Sequence, residues 1–465
     1  MTTEKNNPRV MQGWAMYDWA NSVYNLVITT AIFPIFYAAQ TSHKDTLTGE
    51  VIKTVTFWGH QFSNTELYNY VFALAYLIVV FTAPLLSGVA DFTGNKKFFL
   101  KVFCYLGALS CMCLFFFDKN HLEWSMLPVM LACVGFWGSL VFYNAYLPEI
   151  ADPHLHDKLS AKGFTLGYIG STLVLVLSLI AIKIFEVPAK YIFVIVGLWW
   201  IGFAQIPLRR LPEDARHPYS KELLKRGYEE VSKTARRVLA RPNMLRYLSA
   251  FFFANAGVQS VLYLASIFAE KELHFNTSNL IVLILILQVV GIGGAYLFAW
   301  ISSKRGNKNA MMYMMVIWTM ICVGGYVVRT GLDFYFLAAA VGLVMGGMQS
   351  LARATYAKLL PEDTPDTASY FSFYDILDKL STVMGTFVFG LITQLSGGMR
   401  NSVLSLAVFF IIGLILMRRV VELGVQLIGI GAAANPLPGE PAKTPIERVA
   451  VDKVRLLKRA VDNEN

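Results

Sequence analysis

The sequence is poor in charged residues. Only 15% of its 465 residues are Asp, Glu, Lys or Arg, whereas a soluble globular protein carries about 25%. The mean hydropathy is +0.50, and 55% of the residues are hydrophobic. This composition excludes an ordinary water-soluble domain and favours a chain that crosses a lipid bilayer.

Motifs for catalysis or metal binding are also scarce. The five cysteines lie in apolar segments without CxxC spacing, which argues against zinc or a disulfide framework. All seven histidines lie in polar gaps, so a histidine proton relay inside a membrane is not expected. The sequence has no GxxxxGK[ST], GxSxG or HExxH pattern. We therefore expect no enzyme, no cofactor, no metal and no nucleic-acid partner.

Twelve apolar runs are long enough for a membrane span, which needs about 20 residues. We place them at roughly 14–39, 68–90, 98–117, 125–147, 163–185, 190–207, 247–269, 278–301, 310–328, 333–357, 369–395 and 401–417. The alternate gaps carry 22 Lys and Arg residues on one side and 8 on the other. The positive-inside rule then predicts a multi-pass membrane protein with both termini in the cytoplasm.

An internal repeat divides the chain. GNK occurs at 94–96 and 306–308, YxxxLPE at 143–149 and 356–362, and an aromatic-Ala-Asn triplet ends at Asn21 and Asn255. The repeat predicts an all-α membrane fold of two parallel six-helix halves, as in rocker-type secondary transporters. We assign the halves to 1–207 and 247–423, a cytoplasmic linker to 208–246 and a cytoplasmic tail to 424–465.

The linker contains a candidate amphipathic helix with alternating charges near 219–240. We expect this helix to connect the halves and to lie on anionic lipid. A regulatory or partner-binding role is the alternative.

Polar residues form a stripe on the first span. Asp18, Asn21 and Asn25 fall on one side of the helix, and Tyr24 borders them. Asp18 is expected near the cytoplasmic mouth, where it caps the helix, pairs with a base, or acts as a gate or coupling residue. Asn21, Tyr24 and Asn25 reach toward the midplane and are candidates for contact with a solute.

The eleventh span carries a second polar face. Asp375 and Lys379 are four residues apart and can neutralise one another, with Asp378 beside them. Either they form a self-satisfied ion pair, or a carboxylate titrates and couples proton movement to transport. Arg353 of the tenth span is expected to form a gate ion pair with Asp18, Asp375 or a loop.

The remaining polar candidates near the midplane are amides. Asn255, Gln259 and Gln349 join the first-span residues in a mostly uncharged set. This set suits a neutral or zwitterionic solute better than a polyanion.

The loop GVADFTGNKK at 88–97 resembles the loop motif of the major facilitator superfamily, with Gly88 and Asp91 in place. The stretches YDWANS, YNAYLPEIA and GGMQSLARATYAKLLPE followed by FSFYD resemble bacterial transporters related to the autophagy-linked vacuolar amino-acid effluxer of fungi. Alanines flank Arg353 where that family usually has serines. We expect Gly88 to permit close helix approach, and Asp91 to accept hydrogen bonds from the amides that begin a facing helix.

The leading hypothesis is a monomeric secondary transporter of a small neutral or zwitterionic solute, possibly an amino acid, driven by a proton gradient. Broad efflux of amphipathic compounds and a non-transporting receptor or scaffold of the same fold remain open.

Overall fold

Long apolar helices build almost the whole chain. The computed structural model describes residues 5–44, 51–213, 223–361, 364–396 and 398–421. The helices in these ranges are α1 (Pro8–Val23), α2 (Phe33–Thr41), α3 (Asn64–Thr93), α4 (Lys96–Cys113), α5 (Leu122–Ala145), α6 (Leu147–Ile150), α7 (Pro153–Lys183), α8 (Ala189–Arg210), α9 (Leu223–Leu239), α10 (Pro242–Leu273), α11 (Thr277–Arg305), α12 (Asn307–Val327), α13 (Gly331–Leu359), α14 (Thr367–Ser396) and α15 (Met399–Arg418). A π-helix (Tyr24–Ile32) joins α1 to α2, and a 3₁₀ turn (Leu114–Phe116) extends α4.

The twelve predicted spans are confirmed. In the described part of the chain, 12 helical stretches are long and apolar enough to cross a membrane. They extend beyond the predicted runs because polar caps continue the helices past the apolar core. At α3, for example, Ser63 and Glu66 form a capping box at the start, and Gly94 ends the helix with a φ of 64°.

The first span is interrupted by its π-helix, which the sequence analysis did not predict. Pro34 lacks an N–H, and its ring would crowd the carbonyl group four residues earlier. The wider turns before it place the Thr30 hydroxyl against the Asn25 carbonyl oxygen at 2.8 Å. The span therefore changes its helical pitch at Tyr24, so that Asn25 lies in the first turn of the π-helix.

Two small hairpins lie between the first and second spans, where the sequence analysis predicted only a loop. β1 (His43–Lys44) pairs with β2 (Val51–Ile52), and β3 (Thr54–Phe57) pairs with β4 (His60–Ser63). Trp58 and Gly59 both have positive φ, of 46° and 78°, as a tight hairpin turn requires. The fold is all-α only in its membrane-spanning part.

The six spans before α9 form a first half, and the six after it form a second. The first half meets the second where α7 packs against α11 and α13, and where α14 packs against α3 and α5. We call the side that carries the Lys- and Arg-rich loops, including the linker and the connections near residues 95, 152, 306 and 366, the basic side. The opposite side is called the far side.

The linker helix α9 packs on protein. Its buried residues Gly227, Thr234 and Val238 form one stripe, and this helix packs against α3. A Cβ atom at Gly88 of α3 would lie only 2.2 Å from the Gly227 carbonyl oxygen. The buried stripe of α9 therefore packs on α3, and contact of the rest of this helix with anionic lipid stays a prediction. The predicted tail, 424–465, lies outside the described residues.

Candidate functional site

A buried ion pair joins the two halves. Arg353 Nη2 of α13 lies 3.2 Å from Asp18 Oδ2 of α1, and the Tyr143 hydroxyl donates to the same oxygen at 2.8 Å. Asp18 is 6% exposed and Arg353 is 4% exposed. Because each charge is shielded from water, each depends on the other to offset its desolvation.

The Arg353 guanidinium donates four hydrogen bonds to the first half, counting the one to Asp18. Nε donates to Ser160 Oγ at 2.9 Å, Nη2 to the Ser160 carbonyl at 3.1 Å, and Nη1 to Asn144 Oδ1 at 3.2 Å. Its carbon Cζ also lies 4.4 Å from the ring centroid of Phe164 and 4.8 Å from that of Trp14. Helices α1, α5 and α7 thus converge on one side chain of the second half.

Gly163 of α7 is part of this arrangement. A Cβ atom at this position would lie 2.4 Å from Asp18 Oδ2 and 3.0 Å from Arg353 Nη2. The ion pair therefore occupies the space that a side chain would fill. Sequence reasoning missed Gly163, Tyr143 and Ser160, since their role depends on contact between helices far apart in the chain.

Asp91 caps a helix of the opposite half, as expected from the sequence. Its carboxylate accepts hydrogen bonds from the backbone N–H groups of Ala368 at 3.2 Å and Ser369 at 2.7 Å, in the first turn of α14. The positive end of that helix dipole favours the negative charge. Next to it, Lys96 donates to Thr367 Oγ1 at 3.2 Å and forms an ion pair with Glu149. Lys96 therefore connects the two halves.

The contacts around Asp91 form one seam between the halves. A second seam is centred on Asp157 of α7. Its carboxylate accepts from Ser302 Oγ at 2.8 Å, Asn307 Nδ2 at 2.8 Å and Lys358 Nζ at 2.7 Å. The partners come from three helices, α11, α12 and α13. Sequence reasoning did not select Asp157, although Asn307 belongs to the repeated GNK triplet.

The linker helix adds a contact on the same side. Arg237 of α9 forms an ion pair with Asp366, just before α14. Burial raises the pKa of Asp366 above its ordinary value, and the nearby Arg237 opposes this shift. Since α9 also packs on α3, it links the first half to the start of α14.

All of these contacts lie toward the basic side. One further contact between the halves lies deeper: the Tyr168 hydroxyl donates to Gln349 Oε1 at 2.9 Å. It lies about 15 Å from the basic end of α13, at 1.5 Å per residue. The protein is therefore closed on its basic side.

Helix α14 places charges near the middle of its span. Lys379 Nζ lies 2.5 Å from Asp375 Oδ1, so the predicted pairing within the helix is present. The same ammonium lies 4.2 Å from the ring centroid of Trp137 in the opposite half. Asp375 Oδ2 is buried and has no hydrogen-bond partner among the described residues.

Asp378 is held by two of the predicted solute-binding amides. Asn255 Nδ2 donates to Asp378 Oδ1 at 2.8 Å, and Gln259 Nε2 donates to it at 3.4 Å. Asn255 also donates to Ser381 Oγ at 2.7 Å. The structure thus brings Asn255, Gln259 and Asp378 together, a cluster that the sequence analysis had divided between two roles.

The first-span candidates separate from one another. Asn25 is exposed, although Tyr24 and Leu26 on either side of it are buried. Tyr24 is 2% exposed, with ring centroids 5.4 Å from Phe136 and 5.6 Å from Trp200. It packs in the core of the first half. Asn21 is also buried, and its Nδ2 has no partner among the described residues.

Solved structures with this architecture are transporters. The human organic anion transporter MFSD10 superposes with a TM-score of 0.66 at 11% identity, over 89% of this chain and all of that one. The transporter FucP in its outward conformation superposes with a TM-score of 0.62 at 14% identity, over 90% and 99% of the two chains. At these identities the likeness concerns the fold, and it confirms the predicted major facilitator fold.

Sequence relatives cover nearly the whole chain. The uncharacterized MFS-type transporter YxiO of Bacillus subtilis is 28% identical, over 88% of this chain and 94% of its own length. Autophagy-related protein 22-1 of Penicillium rubens is 22% identical, over 92% and 94% of the two chains. The family described as "Vacuole effluxer Atg22 like" matches residues 6–423. The chain therefore belongs to the Atg22-like family of membrane proteins with the major facilitator fold.

Proposed function

We propose that this protein is a secondary active transporter that moves a small neutral or zwitterionic solute, such as an amino acid, across the bacterial cytoplasmic membrane. The halves 1–207 and 247–423 rock about the solute site and expose it to each side in turn. The linker 208–246 tethers them.

The buried Asp18–Arg353 pair is the observation that carries this proposal. A charged pair inside a span is costly and is a functional-site hypothesis by default. This pair joins opposite halves, at 3.2 Å, so the halves cannot separate on the basic side without breaking it. Water that enters the opened side would hydrate both charges, which gives the pair two states of comparable free energy.

The loop charges support a cytoplasmic location for the basic side. The structure then corresponds to a state closed toward the cytoplasm. Asn25 is exposed, and we place it in the space between the halves. Gln349 lies at the inner limit of that space, where it binds Tyr168.

The polar groups around this space support an amino-acid-like solute. They include the amides of Asn25 and Gln349 together with the ion pair of Asp375 and Lys379 and the carboxylate of Asp378. A zwitterion presents both a cation and an anion to such a set. The relationship to proteins described as vacuole effluxers points to the same class of solute.

Proton coupling is assigned to the α14 carboxylates. Asp375 has one buried oxygen without a partner among the described residues, and protonation would remove the negative charge that is costly to bury there. The ammonium of Lys379 favours its ionised form, so protonation of Asp375 requires Lys379 to move away during the cycle.

Transport into reconstituted vesicles tests the proposal. Labelled amino acids are offered with and without an imposed pH gradient, and accumulation should occur only with the gradient. Asp18→Asn should lower net transport, while Glu272→Gln, whose pair with Arg400 lies at the far side, should not. If no small solute enters or leaves the vesicles and the protein instead binds a soluble partner tightly, the transporter proposal fails.

A further inference from the structure

Asp378 differs from the other deep carboxylates of the membrane spans. At 1.5 Å per residue, Asp18, Asp375 and Asp378 lie about 15, 12 and 17 Å along their helices from the basic ends. Asp18 is paired with Arg353, and Asp375 with Lys379. Asp378 has no cation within salt-bridge distance among the described residues, and the hydrogen bonds to its carboxylate come only from neutral amides. It therefore leaves one negative charge uncompensated near the middle of the membrane.

The amides around Asp378 are oriented by its charge. A carboxylate accepts hydrogen bonds, so Asn255 and Gln259 must turn their NH₂ groups toward it. Their carbonyl oxygens and Asp378 Oδ2 then have no donor among the described residues, and none of the three is a sealed buried atom. These three oxygens are acceptors near one negative charge, and an ammonium group supplies N–H donors for acceptors of this kind.

The position of the cluster agrees with contact to a solute. Asp378 and Gln259 are only partly buried, so water or a solute can reach them. Asn255 occupies the place in the second half that Asn21 holds in the first, according to the repeat. The Lys379 ammonium, one residue further along α14, lies against Trp137 of the first half. A solute that binds here therefore meets residues next to the interface between the halves.

We propose that Asp378, Asn255 and Gln259 form the recognition site for the ammonium group of the transported solute. The inference rests on the proposed transport function and narrows it, because it requires the solute to carry a free amino group. Lys379 remains with Asp375 and Trp137, and it provides positive charge nearby for a carboxylate on the same solute.

Exchange in proteoliposomes provides the test. The twenty amino acids are first screened against the full-length protein, and the best exchanger is compared with its N-acetylated and deaminated forms. The wild type should prefer the free-ammonium form by roughly tenfold or more in apparent Kd. Asp378→Asn should reduce this preference to near unity, and Asp378→Glu should retain part of it.

A matched variant separates this effect from damage to the fold. Asp333→Asn makes the same chemical change at the start of α13, where the hydrogen bonds of the Asp333 carboxylate within the described residues go to the Thr330 cap, and it should leave the preference unchanged. The thermal unfolding temperature of each variant shows whether the helices still pack. A folded Asp378→Asn protein that keeps the wild-type preference overturns the inference.

Two further outcomes distinguish the inference from the proposal beneath it. If Asp378→Asn loses only its response to the pH gradient, Asp378 binds a proton and the ammonium site is refuted. If the wild type exchanges solutes without an amino group equally well, the inference fails while the transporter proposal stands. Absence of exchange with any solute overturns both.

Discussion

Replacement of Asp18 by Asn should open the basic side. The substitution leaves the Arg353 guanidinium buried, at 4% exposure, without a carboxylate partner. Breaking a buried pair in this way costs about 3–5 kcal/mol. We take the lower value, about 3 kcal/mol, because Arg353 keeps its hydrogen bonds to Ser160 and Asn144. Only the closed form bears this cost, because opening exposes Arg353 to water. The fraction of molecules that are open on the basic side should therefore rise by roughly a hundredfold.

Cysteine labelling measures that population. Ser350 of α13 is fully buried, at 0% exposure, and its carbonyl oxygen accepts from Ser160 of the opposite half. S350C is introduced in a background with Cys113→Ser, because Cys113 is exposed. A membrane-impermeant maleimide applied from the basic side reacts when that side opens. Its rate follows the open fraction, so Asp18→Asn should increase the rate by roughly a hundredfold.

A charge-neutral double variant separates the ion pair from its surroundings. Asp18→Asn with Arg353→Gln removes both charges, so it should label more slowly than Asp18→Asn alone. Glu272→Gln, in the far-side pair with Arg400, should label at the wild-type rate. Equal rates for the wild type and Asp18→Asn would refute the idea that this pair holds the basic side closed.

Three other predictions use the same closed state. Gly163→Ala should raise the labelling rate roughly 5- to 150-fold without removing a charge, because its Cβ would lie 2.4 Å from the Asp18 carboxylate; an unchanged rate would contradict that close packing. Gly88→Ala should weaken the packing of α9 on α3 by about 1–3 kcal/mol, and tryptic cleavage within α9 should become faster. Gly202→Ala, with nothing within 4 Å of its Cβ, should leave the cleavage rate unchanged. Burial raises the pKa of Asp366, so closure of the basic side takes up a proton at this carboxylate. Closure is therefore favoured at low pH and weakens as the pH rises through the raised pKa. Labelling, corrected for ionisation of the thiol, should therefore accelerate with pH, and Asp366→Asn should flatten that dependence.

The spans were predictable because a membrane-spanning helix shows in the sequence as a continuous run of apolar residues. Each crossing needs about 20 apolar residues, and all twelve runs became helices. The ends were harder to place, since polar caps such as Ser63 with Glu66 extend α3 beyond its apolar core. The β3–β4 hairpin was not predicted, because its strands are only four residues long and lie in a gap between two spans.

The sequence predicted which helix faces carry the site residues, but it did not predict which residues pair with each other. Helical spacing placed Asp18 on an interior face, and the sequence offered Arg353 as one of several partners. The choice among them depends on how two helices 335 residues apart meet in space, which no local pattern records. Asp157 was not predicted as a site residue for a related reason. A carboxylate in the first turns of a helix is ordinary there, and only the packing of α11, α12 and α13 around it gives it three partners.

The two seams between the halves depend on different parts of the chain. At one, Asp91 binds backbone N–H groups, which every residue except proline possesses. At the other, Asp157 relies on three side chains from different helices. Positions 368 and 369 should therefore tolerate most substitutions that fit the packing, whereas Ser302, Asn307 and Lys358 should tolerate few. A saturation library selected for transport would show this asymmetry, and the first seam would survive sequence drift that destroys the second.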